Sequence, residues 1–307
     1  MRRVVSVSLG SSARDKSQDT EFFGEPFRIE RIGVDGSFDK YIAKLEELDG
    51  NVDAIGIGGL DVYLWANGRR YAFREAKHLV SHIHSTPWVD GSGLKNTLER
   101  ETVRRLQAGG TIDFRGKKVL VVAGVDRFGM AEALHEAGAD MAMGDLMFAL
   151  GIPLVIRRWW SFHILAKILL PVVVQAPFKL LYPTGDKQDA ITPKYAKWYE
   201  WADVIAGDYL LIRRYMPDRL DGKIILTNTT RKADRQQLVE RGVSTLITTT
   251  PSFGGESFGT NVMEGVLVTA AGKRPEDMTP EGYMEMLDRL NWAPNVDNLG
   301  ETMNEER

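Results

Sequence analysis

From Gly116 the chain reads GKKVLVVAGVDRFGMAEALHEAGADMAMGD, and this stretch constrains the fold more than any other. KKVLVVAG is an apolar run of strand length. GMAEALHEAG has helical spacing and a glycine stop, and ADMAMGD is a second strand. The rhythm resumes in ADVIAGD, GKIILTNT, the helix RKADRQQLVERG and the strand STLITTT. Strands alternating with helices through short turns imply a parallel sheet with helices on both faces. GTNVMEGVLVTAAG and TPEGYMEMLDRLNW read as closing helices, the second opened by a Thr-Pro-Glu cap. The polar tail NVDNLGETMNEER is expected to fray.

The first hundred residues read differently. RRVVSVSLG is a strand closed by GSSARDKS, PFRIERIGV alternates like a second strand, and DAIGIGGLD is a buried third. SFDKYIAKLEEL has a serine N-cap and helical spacing of Phe38, Ile42 and Leu45. VYLWANGRRYAF reads as a hairpin turning on Asn67-Gly68. Helical patterns cover 74–84 and 94–107. The expected organisation is an N-terminal α/β domain over 1–108 and a doubly wound domain over 109–275. A C-terminal helix and polar tail, 276–307, would be free to pack back on the first domain. Ligands in such sheets bind at the carboxyl ends of the strands and in the crevice between domains.

A chain of 307 residues with net charge −3 is not the basic protein that general nucleic-acid binding calls for. With no cysteine, disulfides, thiolate catalysis and cysteine-held metal are excluded. The start MRRVVSVSLGSS is too short and interrupted for a signal peptide, so a cytoplasmic location is expected. Residues 153–182, PLVIRRWWSFHILAKILLPVVVQAPFKLLY, carry no acid. Arg157, Arg158, Lys167 and Lys179 interrupt the segment, and Pro171 and Pro177 are expected to break it, so it does not span a membrane. Three uses stand side by side. It can be a buried helix with a connector, an interfacial segment holding tryptophans at an anionic membrane surface, or an apolar wall for a substrate or a homodimer partner.

The turn AGVDRFGMAEAL compares with the dinucleotide fingerprint G-x-G-x-x-G. Gly124 ends the strand, Gly129 sits where the helix packs closely, and Asp126 replaces the middle glycine. Arg127 would offset that acid by reaching a phosphate. Asp145 closes the next strand, where an acid accepts ribose hydroxyls of NAD and repels the extra phosphate of NADP; it could equally be a helix N-cap. TTTPSFGGESFGTNVMEG offers Gly254, Gly255 and Gly259 for close backbone approach to an anion. In STPWVDGSGLKNT, Asp90 paired with Lys95 or Lys77 would supply proton transfer. His78, His82 and His84 lack any metal-binding pattern and read as an exposed helix face; no metal is expected.

The order of these pieces resembles the shikimate/quinate dehydrogenase family. WVDGSGLKNTLERETVRRL followed by RGKKVLVVAG matches the family's sequence of substrate-closing segment, crossover helix and nucleotide strand. SLGSS is similar to the serine pair that holds the substrate carboxylate, which implies Ser8, Ser11 and Ser12, with Asn96 from the closing segment. The resemblance implies an N-terminal α/β substrate domain followed by a Rossmann-like doubly wound parallel sheet. It further implies a small-molecule substrate, a hydroxylated carboxylic acid or a more apolar relative, and NAD or NADP, with NAD favoured. The chain departs from the family in its turn, in the missing Asn-Arg-Thr/Ser motif and in the setting of the catalytic lysine. The alternative expectation is a Rossmann-like protein that binds a lipid or membrane surface through 153–182, without dehydrogenase activity.

Overall fold

The computed structural model describes residues 1–177, 191–250, 252–253, 256–257 and 259–300. The chain begins with strands β1 (Arg2–Ser8), β2 (Lys16–Phe22) and β3 (Glu25–Gly33), helix α1 (Phe38–Leu48) and β4 (Ala54–Gly58). Next come a hairpin of β5 (Tyr63–Ala66) and β6 (Arg69–Ala72), helix α2 (Arg74–Val80), β7 (Trp88–Val89) and α3 (Ser92–Ala108). The second half opens with β8 (Lys118–Val121), α4 (Phe128–Glu136), β9 (Asp140–Met143), α5 (Asp145–Leu150) and α6 (Trp159–Val173). It continues through α7 (Ala196–Trp201), β10 (Val204–Gly207), α8 (Tyr209–Tyr215), β11 (Ile224–Thr227), α9 (Lys232–Glu240) and β12 (Thr245–Thr248). A short ladder of β13 (Ser252–Phe253) with β14 (Glu256–Ser257) precedes α10 (Thr260–Ala271), α11 (Pro280–Arg289) and β15 (Asn295–Asn298).

The chain divides into two compact units. The first comprises residues 1–97, 168–187 and 259–292, and the second 98–167, 188–258 and 293–307. The boundaries fall inside α3 and α6. The expected limits of 1–108 and 109–275 are thereby redrawn: both closing helices, α10 as well as α11, group with the first unit. Sequence order hid this, because α10 follows the last parallel strand of the second unit with only a short two-stranded ladder between them.

In the first unit the sheet order is β2-β3-β1-β4-β7, parallel except for β2, which runs antiparallel to β3. Val4, Val5, Val7, Ile55 and Ile57 are fully buried or nearly so, and α10 packs on the same strands with Val262, Met263, Val266 and Leu267. Gly265 permits that approach, since a Cβ there would lie 2.8 Å from Val4 Cγ1. The hairpin turns as its sequence dictates, with Asn67 and Gly68 both at positive φ. In α1 the buried face is Tyr41, Leu45 and Leu48 rather than the row through Phe38 and Ile42. Tyr41 fixes this rotation by donating its hydroxyl to the Val7 carbonyl at 3.0 Å.

In the second unit the order is β15-β12-β11-β10-β8-β9, all parallel except β15. Counted within the unit, the parallel strands run 2-1-3-4-5, the order of a doubly wound sheet that reverses between β8 and β10. Leu120, Ile205, Ile225 and Leu246 form its core with Tyr199, Tyr209, Leu238 and Leu299. The tail expected to fray supplies β15, and Leu299 beyond it is fully buried. Pro171 does not end α6, which runs to Val173. Its missing N–H costs one hydrogen bond in the last turn, where the helix is ending in any case.

Candidate functional site

A parallel sheet gathers all its carboxyl ends on one edge, and in the first unit those of β1, β4 and β7 carry Ser8, the Gly58–Asp61 turn and Asp90. Gly59 shapes that turn at φ +76°, where a Cβ would clash with the Leu9 nitrogen at 2.7 Å. Asp90 does not pair with either expected lysine. Its Oδ2 accepts the N–H groups of Val62 at 2.9 Å and Tyr63 at 2.8 Å. Its Oδ1 accepts the N–H and the hydroxyl of Ser92 at 3.0 and 2.6 Å. Four donors on one carboxylate make Asp90 the organiser of this loop. Lys95, in the first turns of α3, lies with Nζ 3.8 Å from Asp61 Oδ1, the two side chains 12% and 23% exposed. Lys77 is exposed on α2.

The serines divide likewise. Ser8 Oγ accepts from Gly10 N–H at 3.2 Å and from the Arg31 guanidinium at 3.1 Å. Ser11 caps the turn at Ser12–Arg14 through the Ala13 N–H, and Ser12 donates its hydroxyl and N–H to Asp35. These two hold local backbone. Asn96 is half-buried on α3. Gly259 is the N-cap of α10 in this unit, and Gly254 and Gly255 lie outside the described residues.

Behind the loop sits an acid that the sequence did not single out. Glu264 on α10 is 4% exposed, and its Oε1 accepts the Tyr283 hydroxyl at 2.5 Å and the Leu94 N–H at 3.3 Å. Burial and the nearby Asp90 charge push its pKa up to about 7, against the opposing pull of those donors. Its one sequence signal is a lone acid inside the apolar helix NVMEGVLV.

In the second unit the reversal between β8 and β10 is bridged by Arg127. Its guanidinium, 5% exposed, binds Glu99, Asp126 at 3.2 Å and Asp208 at 2.7 Å. Burial opposes the charge, but the three carboxylates prevail and raise its pKa. The expectation that Arg127 reaches a phosphate meets a guanidinium already ion-paired with three carboxylates, which leave this edge of the sheet with an acidic surplus. Gly129 is buried within α4.

Asp145 stands where the sequence put it, just past the carboxyl end of β9. It is the first residue of α5; the N-cap is Gly144. Its Oδ1 accepts the Val125 N–H at 2.8 Å, fastening the turn. Its Oδ2 is buried and accepts no hydrogen bond among the described residues. Burial pushes its pKa up to about 6, partly offset by the Val125 and Gly124 N–H groups. Gly124 is closely covered here, since a Cβ would lie 3.0 Å from Phe162 and 3.3 Å from Asp145 Oδ2. The orphaned oxygen fits the nucleoside half of a dinucleotide, because two ribose hydroxyls would supply the missing donors. The diphosphate half gains nothing from Arg127. Among the described residues, no group of three or more acids and histidines is placed to hold a metal.

Residues 93–299 match the family model "Domain of unknown function (DUF8754)", and residues 3–90 match "Domain of unknown function (DUF8753)". No curated protein matches the chain. Among solved structures it is similar to a sugar ABC transport system substrate-binding protein from Bordetella parapertussis, at 11% identity and TM-score 0.38, covering 97% of this chain and 89% of that one. It is also similar to an NAD-dependent malic enzyme from Thermotoga maritima, at 12% identity and TM-score 0.36, covering 94% and 84%. L-tryptophan dehydrogenase from Nostoc punctiforme matches at 11% identity and TM-score 0.31, covering 87% and 67%. These proteins differ in what they do, and none supplies a function for this chain.

Proposed function

We propose that this chain, which belongs to the DUF8754 family, is a nicotinamide-dependent oxidoreductase of the quinate/shikimate dehydrogenase type, using NAD in preference to NADP. The observation that carries the reading is the orphaned Oδ2 of Asp145 at the end of the second strand of a doubly wound sheet. When bound, the nicotinamide group would accept or give the hydride. Asp145 would hold the ribose hydroxyls, and its charge would repel the extra phosphate of NADP. Because Phe162 covers Gly124 and flanks this oxygen, its ring must turn aside for a nucleoside to enter.

In the first unit Lys95 would take or return the proton of a substrate hydroxyl, and Asp61 would orient the lysine. Ser8 and Arg31 would receive the carboxylate of a hydroxylated acid, the guanidinium sharing it with its present partner Asp15 at 3.1 Å.

Isothermal titration of NAD and NADP into the protein tests the reading. NAD should bind more tightly than NADP. Asp145→Asn should weaken NAD by about tenfold to a hundredfold, the usual loss for hydrogen bonds to a charged acceptor. NAD binding should also fade as pH drops through about 6, where this carboxylate takes up a proton. If neither cofactor binds the folded protein at millimolar concentration, the reading is wrong.

A further inference from the structure

A helix that is apolar all round normally lies within a core. Helix α6 carries large apolar residues on two opposite sides, yet only one of those sides is covered. Phe162, Ala166 and Leu170 are buried at 0%, 1% and 2% exposure. On the opposite side, Trp160, Ile164, Ile168 and Val172 are 60%, 51%, 63% and 69% exposed. Their spacing of four residues places them on one stripe about three turns long. Before the helix, Leu150, Ile152 and Leu154 are also exposed. Large apolar side chains scattered singly over a surface need no explanation, whereas a contiguous set does.

The two tryptophans divide by role. Trp159 belongs to the covered side, stacked 4.8 Å from the His135 ring and 5.3 Å from the Phe162 ring. Only Trp160 is presented outward.

Charge narrows what can cover the stripe. Residues 153–182 contain no acid, while Arg158 just before the helix and Lys167 within it are exposed. Packing this stripe against its own copy would bring bases together with no acid from the segment to pair them. An anionic lipid surface supplies both an apolar layer for the isoleucines and negative charge for the bases, and tryptophan favours the boundary between them. No described helix is long and apolar enough to cross a membrane. On such a surface the helix would therefore lie in the plane of the membrane rather than across it.

We propose that the outward stripe of α6 docks this protein in the plane of an anionic lipid surface. The inference does not depend on the oxidoreductase reading.

Flotation of the full chain with vesicles of phosphatidylcholine alone, or enriched in phosphatidylglycerol, tests it. The protein should float with the anionic vesicles and stay behind with the neutral ones. The pair Ile164→Ser and Ile168→Ser should lower vesicle binding tenfold or more without changing the circular dichroism spectrum, because both side chains already face solvent. Trp160→Ser serves as a milder second variant. Lys167→Ala should weaken binding about fivefold, the usual effect of one basic residue near an anionic membrane. Absence of flotation with anionic vesicles would overturn the proposal, as would flotation that both apolar variants leave unchanged. A dimer in vesicle-free solution that these same variants dissolve would overturn it too, by making the stripe a contact between copies.

Discussion

Asp90 and Asp61 are both loop aspartates at one sheet edge, and their surroundings assign them opposite work. Asp90 has four protein donors, so no acceptor is left over for chemistry. Asn at that position would turn an amide against donors that now meet carboxylate oxygen. Asp90→Asn should therefore destabilise the fold by about 1–3 kcal/mol, read from urea unfolding. Asp61→Asn and Lys95→Met touch a pair that meets at 3.8 Å. They should leave the unfolding midpoint nearly unchanged while cutting turnover by two orders of magnitude or more, once a substrate is in hand. A reversed pattern would return the catalytic role to Asp90. Sequence could show that an acid and a lysine belong to this edge. It could not show which acid meets Lys95, because Asp61 is brought there by the pairing of β4 with β7. Asp145 was legible for the opposite reason: its position depends only on a strand, a turn, a helix and the next strand.

At the scale of elements, α10 is held to the start of α3 by one buried acid. Glu264 is protonated more readily in the folded chain, near pH 7, than in the unfolded one, near the ordinary 4.5. The folded state thus binds the extra proton between those values. The stabilisation is complete below about 4.5 and is lost as pH rises through 7, a span worth on the order of 3 kcal/mol. Glu264→Gln keeps an acceptor for Tyr283 and has no charge to bury. In thermal unfolding followed from pH 5 to pH 8, its midpoint should fall less steeply than that of the native chain. Equal slopes would remove Glu264 as the cause. Strands with apolar runs and the Asn67-Gly68 hairpin were readable in advance, since burial and turn geometry are local demands. β2 was not. Its KSQDTEF is almost wholly polar, and it forms because the edge of β3 offers it a ladder. β15 joins the sheet for the same reason.

At the scale of the whole molecule, the first unit is assembled from distant parts of the chain. A fragment of residues 1–108, the domain that the sequence pattern outlines, lacks α10 and bares the faces of Val4, Ala54 and Val89. That fragment should show no cooperative thermal transition by circular dichroism, and supplying residues 259–292 as a peptide should restore one. Cooperative melting of the fragment alone would show that α10 is dispensable. The hydrogen bond from Asn261 to Ser6, at 2.8 Å, spans 255 residues of sequence. On the ribosome the amino-terminal strands therefore emerge long before the helix that covers them, while the second unit's sheet has its parallel strands in hand sooner. Contacts of such separation are slow to form and leave apolar strands open to wrong partners meanwhile. Synthesis of this protein thus has a built-in waiting period, during which β1 and β4 have been made and the helix that covers them has not.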